Sequence, residues 1–258
     1  MAILKFPLGP IGFGAFKIGR NQGIKYPHEY ELPDEATVDR LLNGLLDLGV
    51  NYIDTAPAYG LSEERIGKCI AHRRHEFILS TKVGESIIHG QSKYDFSEHR
   101  IRNSVQASLS RLRTDELDIA FIHARRDDLR VLRKTDVVPV LIALRDAGLI
   151  RAIGLSAYTT EAIRETFPWA DVVMLTYHPE DRTLEPVMQE AAQRGLTVIV
   201  KKGLASGHLP PKEAIQFVLR HLSVTSLVVG TLSLDHLREN LRWAREIRPS
   251  STPASSPP

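Results

Sequence analysis

The sequence predicts a single-domain α/β protein folded as a (β/α)8 barrel. Three observations predict it: eight short apolar runs rich in β-branched residues, helical spacing between successive runs, and a length of 258 residues, close to the ~250 typical of such barrels. Parallel neighbours need a crossover connection, so strands that alternate with helices imply a parallel sheet. Eight units close naturally into a barrel; a doubly wound open sheet is the competing arrangement.

The elements follow in order. GPIGFGAF (9–16) is the first strand run. From Asp34 to Leu48 the residues Val38, Leu41, Leu42, Leu45 and Leu46 fall on one helical face, and Gly49 closes the end. NYIDTA (51–56) is the second run, followed by a helix over 62–72. FILSTKV (77–83) is the third, and after it Ser97 is placed to cap a helix to Leu112 carrying Ile101, Val105 and Leu109 at four-residue steps. LDIAFIH (117–123), IRAIGLSA (150–157), DVVMLTY (171–177), TVIVKKG (197–203) and SLVVGT (226–231) complete the strands. Helices are predicted over 134–147, 160–166, 183–194, 211–221 and 233–247. The barrel therefore spans 1–247. The remainder, RPSSTPASSPP (248–258), has only Ser, Thr, Pro and Ala after Arg248 and is predicted to be disordered, since it cannot bury enough apolar surface.

Composition narrows the function classes. With 43% hydrophobic and 25% charged residues the chain supports one large core. Its 33 basic and 31 acidic side chains are interspersed, which gives no electrostatic case for nucleic acid or an anionic membrane as the main partner. No run approaches the ~20 apolar residues of a membrane span, and MAILKFPLGPIGFG lacks a signal-peptide core. Cys69 is the only cysteine, so no intrachain disulfide forms, and it reads as a small buried hydrophobe. The expectation is a cytoplasmic protein, monomeric or a small homo-oligomer, acting on a small molecule.

Barrel enzymes carry their chemistry at the C-terminal ends of strands and in the loops beyond. There this sequence places Asp54, Tyr59, Lys82 and His123. Buried charges require partners, so four such groups at one rim would serve one another. They suit proton transfer to or from a carbonyl oxygen. A lysine ammonium beside a tyrosine lowers the phenol's pKa from about 10, an aspartate keeps the lysine charged and aimed, and a histidine hydrogen-bonds the reacting oxygen. None of these groups carries electrons, so a redox reaction needs a bound hydride carrier. GPIGFG (9–14) lacks GxGxxG spacing and precedes no predicted helix, which argues against a Rossmann phosphate loop. His72 and His75 have no companion ligand pair and read as a surface turn.

At this point a resemblance becomes specific. GVNYIDTAPAYGLSEERIGKCI (49–70) resembles the signature of the aldo-keto reductases, with Asp54 and Tyr59 at its catalytic positions. STKVG (80–84) is similar to the segment carrying that family's lysine, here Lys82, and LRTDELDIAFIH (112–123) to the segment ending in its histidine, here His123. IRAIGLSA (150–157) and LVVGTLSLDHLRENL (227–241) match further segments in order, so the likeness runs from about Gly14 to Trp243. It implies an NAD(P)-dependent oxidoreductase that interconverts an aldehyde, ketone or sugar with an alcohol. Tyr59 would be general acid in reduction and general base in oxidation; Lys82 would lower its pKa, Asp54 would hold Lys82, and His123 would orient the carbonyl. The implied cofactor is NADP(H), bound at the rim without a Rossmann motif.

The cofactor positions depart from the family pattern. A Ser-Asn pair is replaced by Ser156 and Ala157, a Gln by Met174, an Asn by His178, and a nicotinamide-stacking aromatic by Lys201. Cations that would grip a 2′-phosphate fall near Gly230, Leu232 and His236, none a fixed cation, which leaves NAD(H) open as the cofactor. Thr231, Glu239 and Asn240 remain as phosphate, ribose or adenine contacts, with His236 and Lys202 as partial substitutes. KKGLASG (201–207), which includes Leu204, has glycines that permit close backbone approach to phosphate; Lys201 and Lys202 also read as a solvated rim pair. The long C-terminal substrate loop common in the family is missing before the Ser/Pro tail. RNQGIKYPHEYELP (20–33) and the Arg-rich HARRDDLRVLR (123–133) are the candidate substrate walls. Two other functions fit parts of the pattern: a Schiff-base lyase using Lys82 or Lys201, and a non-enzymatic nucleotide sensor.

Overall fold

The computed structural model describes residues 4–24, 26–88 and 90–248. The expected tail, Arg248 apart, lies outside the described residues. Ten strands are described: β1 (Ile11–Gly14), β2 (Tyr52–Asp54), β3 (Ile78–Val83), β4 (Glu85–Ile88), β5 (Gln91–Tyr94), β6 (Leu117–Ile122), β7 (Ile150–Ser156), β8 (Val172–Thr176), β9 (Thr197–Lys201) and β10 (Ser226–Val229). Eight of them close into a parallel barrel in the order β1-β10-β9-β8-β7-β6-β3-β2, which excludes the open sheet. The seam is β1, paired with β10 through Ile11 and Leu227 and with β2 through Gly14 and Asp54. The other two strands, β4 and β5, form an antiparallel hairpin outside the barrel.

Nine helices are described: α1 (Glu35–Asp47), α2 (Ser62–Ile70), α3 (Glu98–Leu112), α4 (Asp128–Lys134), α5 (Val137–Asp146), α6 (Thr160–Thr166), α7 (Glu185–Gln193), α8 (Pro211–Arg220) and α9 (Leu234–Ile247). Alternation along each strand divides the core in two. Outward residues such as Phe13, Ile53, Leu79 and Ile122 pack under the helices. Inward residues, Tyr52, Ile78, Ile119, Phe121, Ala152, Val172, Met174 and Ile199, fill the barrel, and Leu4, Phe6 and Leu8 pack against them. The Asn51 side chain donates to Pro7 O at 2.9 Å and accepts from Gly9 N at 2.7 Å, which fastens that plug where β2 begins. The opposite, C-terminal rim is left for a site.

Local departures from the sequence reading have physical causes. Ser97 takes the N-cap position of α3, but its side chain makes no capping bond; its own N–H donates to Asp95 Oδ1 at 2.9 Å. The helix expected from 134 begins at Val137, because Thr135 is extended. Residues 128–133, expected as loop, belong to α4. The buried Asp128 carboxylate accepts from Leu129 N, Tyr158 N, Thr159 N and Thr159 Oγ1 at 2.7–3.0 Å, so this segment is tied to the loop after β7. A short 3-10 turn, Ala15–Ile18, follows β1, where no helix was expected. Among the described residues no helix is long and apolar enough to cross a membrane.

Candidate active site

The barrel delivers four polar side chains to the C-terminal rim. Asp54 is the last residue of β2, Lys82 lies one residue before the end of β3, and His123 directly follows β6. Tyr59 closes a 3-10 turn, Pro57–Tyr59. Gly60 leaves that turn at φ +62°, where any Cβ would come 2.4 Å from Gly19 O. Only glycine lets the two loops meet there, and Leu61 N bonds to Gly19 O at 3.1 Å.

Asp54 and Lys82 are 3% and 2% exposed, so each needs the other. Lys82 Nζ donates to both Asp54 oxygens at 2.7 Å and to Thr55 O at 2.8 Å, satisfying all three ammonium protons. Ser80 Oγ donates to Asp54 Oδ1 at 2.7 Å and lies 2.9 Å from Tyr52 Oη, so the carboxylate is anchored from inside the barrel. Lys82 Nζ lies 4.8 Å from the centre of the Tyr59 ring. The Tyr59 and His123 rings are 6.4 Å apart, edge to face, and Phe16 packs edge-on against Tyr59 at 5.2 Å.

Burial, then the Asp54 charge, push the Tyr59 phenol well above its ordinary value. The direction is opposite to the expected depression, because burial of the phenol dominates and the Asp54 carboxylate adds to it. Lys82 itself is drawn down by burial and held back by Asp54. Burial likewise lowers His123, while Glu85 opposes the change.

Glu85 was missed in the sequence. Its Oε2 lies 2.9 Å from His123 Nδ1, and its Oε1 accepts from Tyr94 Oη at 2.8 Å. Burial would raise its carboxyl, but contacts from His123, Ser92 and Tyr94 hold it at about 2. The β4–β5 hairpin creates this arrangement. It springs from Gly84, at φ +100° and packed so tightly on Phe96 that a Cβ would clash at 2.0 Å. A glycine ahead of each of ESII and QSKY, Gly84 and Gly90, was the available signal.

These groups open into one cavity of about 910 Å³, the size range of a small-molecule or cofactor pocket. Both candidate substrate walls line it, through Arg20, Gly23 and Tyr26 on one side and Arg125, Arg126 and Asp127 on the other. The 20–33 loop crosses to the loop after β9, where Pro27 stands 3.4 Å from a Cβ built on Gly207. Among the candidate cofactor residues, Ser156, Met174, Lys201, Lys202, Leu204, Gly230 and Asn240 line the same cavity. Thr231, His236 and Glu239 do not: Thr231 Oγ1 is engaged by Ser233 N at 3.1 Å, and His236 and Glu239 are exposed on α9. Lys201 is not a solvated rim residue. Its Nζ donates to Ser156 Oγ at 2.8 Å and sits 4.1 Å over the Tyr158 ring, while Lys202 lies 5.4 Å from that ring. Burial, then Lys202 and Lys82, hold the Lys201 ammonium well below its ordinary value. Positive φ at Lys202, Ala205, Ser206 and Gly207 coils the backbone beside it, a geometry that turns N–H groups toward an anion.

Comparison with known proteins gives a consistent picture. The model of the Aldo/keto reductase family matches residues 10–214. Aldo-keto reductase YhdN of Bacillus subtilis is 34% identical over 211 residues, covering 78% of this chain and 60% of its own. D-threo-aldose 1-dehydrogenase of a Pseudomonas species is 28% identical, covering 79% and 82%. Among solved structures, PA4992 from Pseudomonas aeruginosa, described as an aldo-keto reductase, superposes with a TM-score of 0.86 at 38% identity over 96% of this chain and 94% of its own.

Proposed function

The chain belongs to the aldo/keto reductase family, an oxidoreductase family, and from that premise we propose that it reduces a small aldehyde, ketone or sugar carbonyl with a nicotinamide dinucleotide. One observation carries the reading. The Tyr59 phenol and the His123 imidazole share a cavity wall, backed by a buried Lys82–Asp54 pair that has no other evident purpose.

In the reductive direction the carbonyl oxygen is placed within reach of Tyr59 and His123. Tyr59, held above its ordinary pKa, keeps its proton for donation to that oxygen. As the proton leaves, the nearby Lys82 ammonium stabilises the phenolate, and Asp54 keeps the ammonium charged and fixed. His123, held by Glu85, orients the carbonyl. The residues present fit a dinucleotide: Lys202, Leu204, Gly230 and Asn240 line the cavity and combine a cation, open backbone and an amide. NADP(H) or NAD(H), when bound there, would supply the hydride. The Lys202 cation favours a phosphate-rich ligand without deciding between the two. A fluorescence titration with both reduced cofactors, together with turnover of Tyr59→Phe, tests the proposal.

A specific observation keeps one alternative at Lys201. Lys82 is committed to Asp54 and is unsuited to attack a carbonyl, whereas Lys201 has no carboxylate at ion-pair distance among the described residues and a lowered pKa. Imine formation there would be detected by borohydride trapping and mass mapping; absence of adduct at Lys201 rejects it.

A further inference from the structure

The cavity carries more positive charge than the proposed chemistry uses. Besides Lys202, already assigned to the dinucleotide, Lys17, Arg20, Arg125, Arg126 and Lys201 line it. Of the lining carboxylates, Asp54 is spent on Lys82, and Glu85 faces His123. Asp127, exposed at the mouth, is the one left.

These cations are not evenly spread. Tyr158 stands between them as a divider: Lys201 and Lys202 lie over its ring, and Arg125 and Arg126 are close enough for their charges to act on its phenol. Arg125 also lies 5.7 Å from the centre of the Tyr94 ring, whose hydroxyl bonds to the Glu85 that faces His123. Lys201 in turn is close enough to His123 for its charge to act on the imidazole, so the cations extend from the mouth toward the histidine. Asp128 fixes its geometry, because one buried carboxylate ties the start of α4, after Arg125 and Arg126, to the backbone of Tyr158 and Thr159. Like charges collected on one wall repel one another; the Lys201 ammonium, lowered first by burial, is lowered further by Lys202 and Lys82. An anion placed among them relieves that repulsion.

On this basis, and resting on the carbonyl-reductase reading above, we infer that the preferred substrate is an anionic carbonyl compound. Its carboxylate or phosphate would be received by Arg125, Arg126 and Lys201 while its carbonyl faces Tyr59 and His123. Arginine at the mouth matches either anion through paired N–H donors.

Calorimetry on the full chain, saturated with whichever of NADP+ and NAD+ it binds, tests this. With the oxidised cofactor the aldehydes bind without being reduced. The probes are 4-carboxybenzaldehyde, 4-formylphenyl phosphate and the neutral methyl 4-formylbenzoate. At least one anionic probe should bind on the order of tenfold tighter than the ester. That ratio should shrink with added salt and fall toward one in Arg125→Ala/Arg126→Ala and in Lys201→Met. The two anionic arms separate carboxylate from phosphate recognition. Equal affinity for all three probes overturns the inference. So does a preference seen without the oxidised cofactor and abolished by it, because the cations would then belong to the dinucleotide phosphates. Failure of the reductase reading is distinguishable: anionic binding would persist with no oxidation of NADPH or NADH.

Discussion

His123 Nδ1 sits 2.9 Å from Glu85 Oε2, so a carboxylate on a hairpin outside the barrel faces the histidine at its rim. The same carboxylate accepts from Tyr94 on the other strand of the hairpin. This contact makes the hairpin part of the site and leads to the first prediction. Glu85 raises His123 against the depression caused by burial. Glu85→Gln removes that charge, so the imidazole should titrate at lower pH than in the parent protein, read by NMR of the ring. An unchanged titration would show that Glu85 does not act on His123.

Glu85 itself gives a prediction about stability. Its carboxyl is held at about 2 against an ordinary 4.5. A carboxyl depressed on folding contributes stability that is complete above the unfolded value and lost as pH falls through the folded one. The difference in Tm between the parent and Glu85→Gln should therefore be constant above about pH 5 and shrink between about 4.5 and 2. A difference independent of pH contradicts the assignment.

The buried Lys82–Asp54 pair predicts an asymmetry between single and double substitutions. Asp54→Leu leaves an ammonium without its carboxylate and should cost about 3–5 kcal/mol in denaturant unfolding. Asp54→Leu/Lys82→Met removes both charges and should recover a large part of that loss while remaining inactive. If the double variant is less stable than the parent by the sum of the Asp54→Leu and Lys82→Met losses measured singly, the two residues do not act as a pair.

Tyr59→Phe keeps the ring that packs against Phe16 and removes only the proton donor. Turnover should fall by roughly 10²–10⁴-fold, with the dissociation constant of the reduced cofactor changed less than about twofold. Because burial and Asp54 hold the phenol high, the parent's carbonyl reduction should show no loss of activity from Tyr59 ionisation across neutral pH. Steady-state rates from acid to alkaline pH check the second point, and a fall near neutrality that is absent from cofactor binding would contradict it.

Most of the fold was legible because each strand is a short β-branched run and each helix has one apolar face. The eight runs, from Ile11–Gly14 to Ser226–Val229, all became barrel strands. What stayed hidden depends on contacts between distant segments. α4 exists where Asp128 collects donors from around Tyr158 and Thr159, some 30 residues away, and no local pattern announces it. Glu85 looks like an ordinary polar residue after a strand until β6 brings His123 beside it. Asp54, Tyr59, Lys82 and His123 were visible because they occupy strand ends and the loop beyond, where a barrel converges. The direction of the Tyr59 shift was not legible for a related reason: the sequence shows the lysine, whereas only the structure shows how completely the phenol is buried, with the Asp54 charge beside it.

The central claim is that this cavity holds a nicotinamide dinucleotide beside Tyr59. Fluorescence titration of the full chain with NADPH and with NADH tests it most directly. The account predicts a dissociation constant of about 1 µM or tighter for at least one of them, near −8 kcal/mol or better. Binding of both weaker than about 1 mM would contradict it.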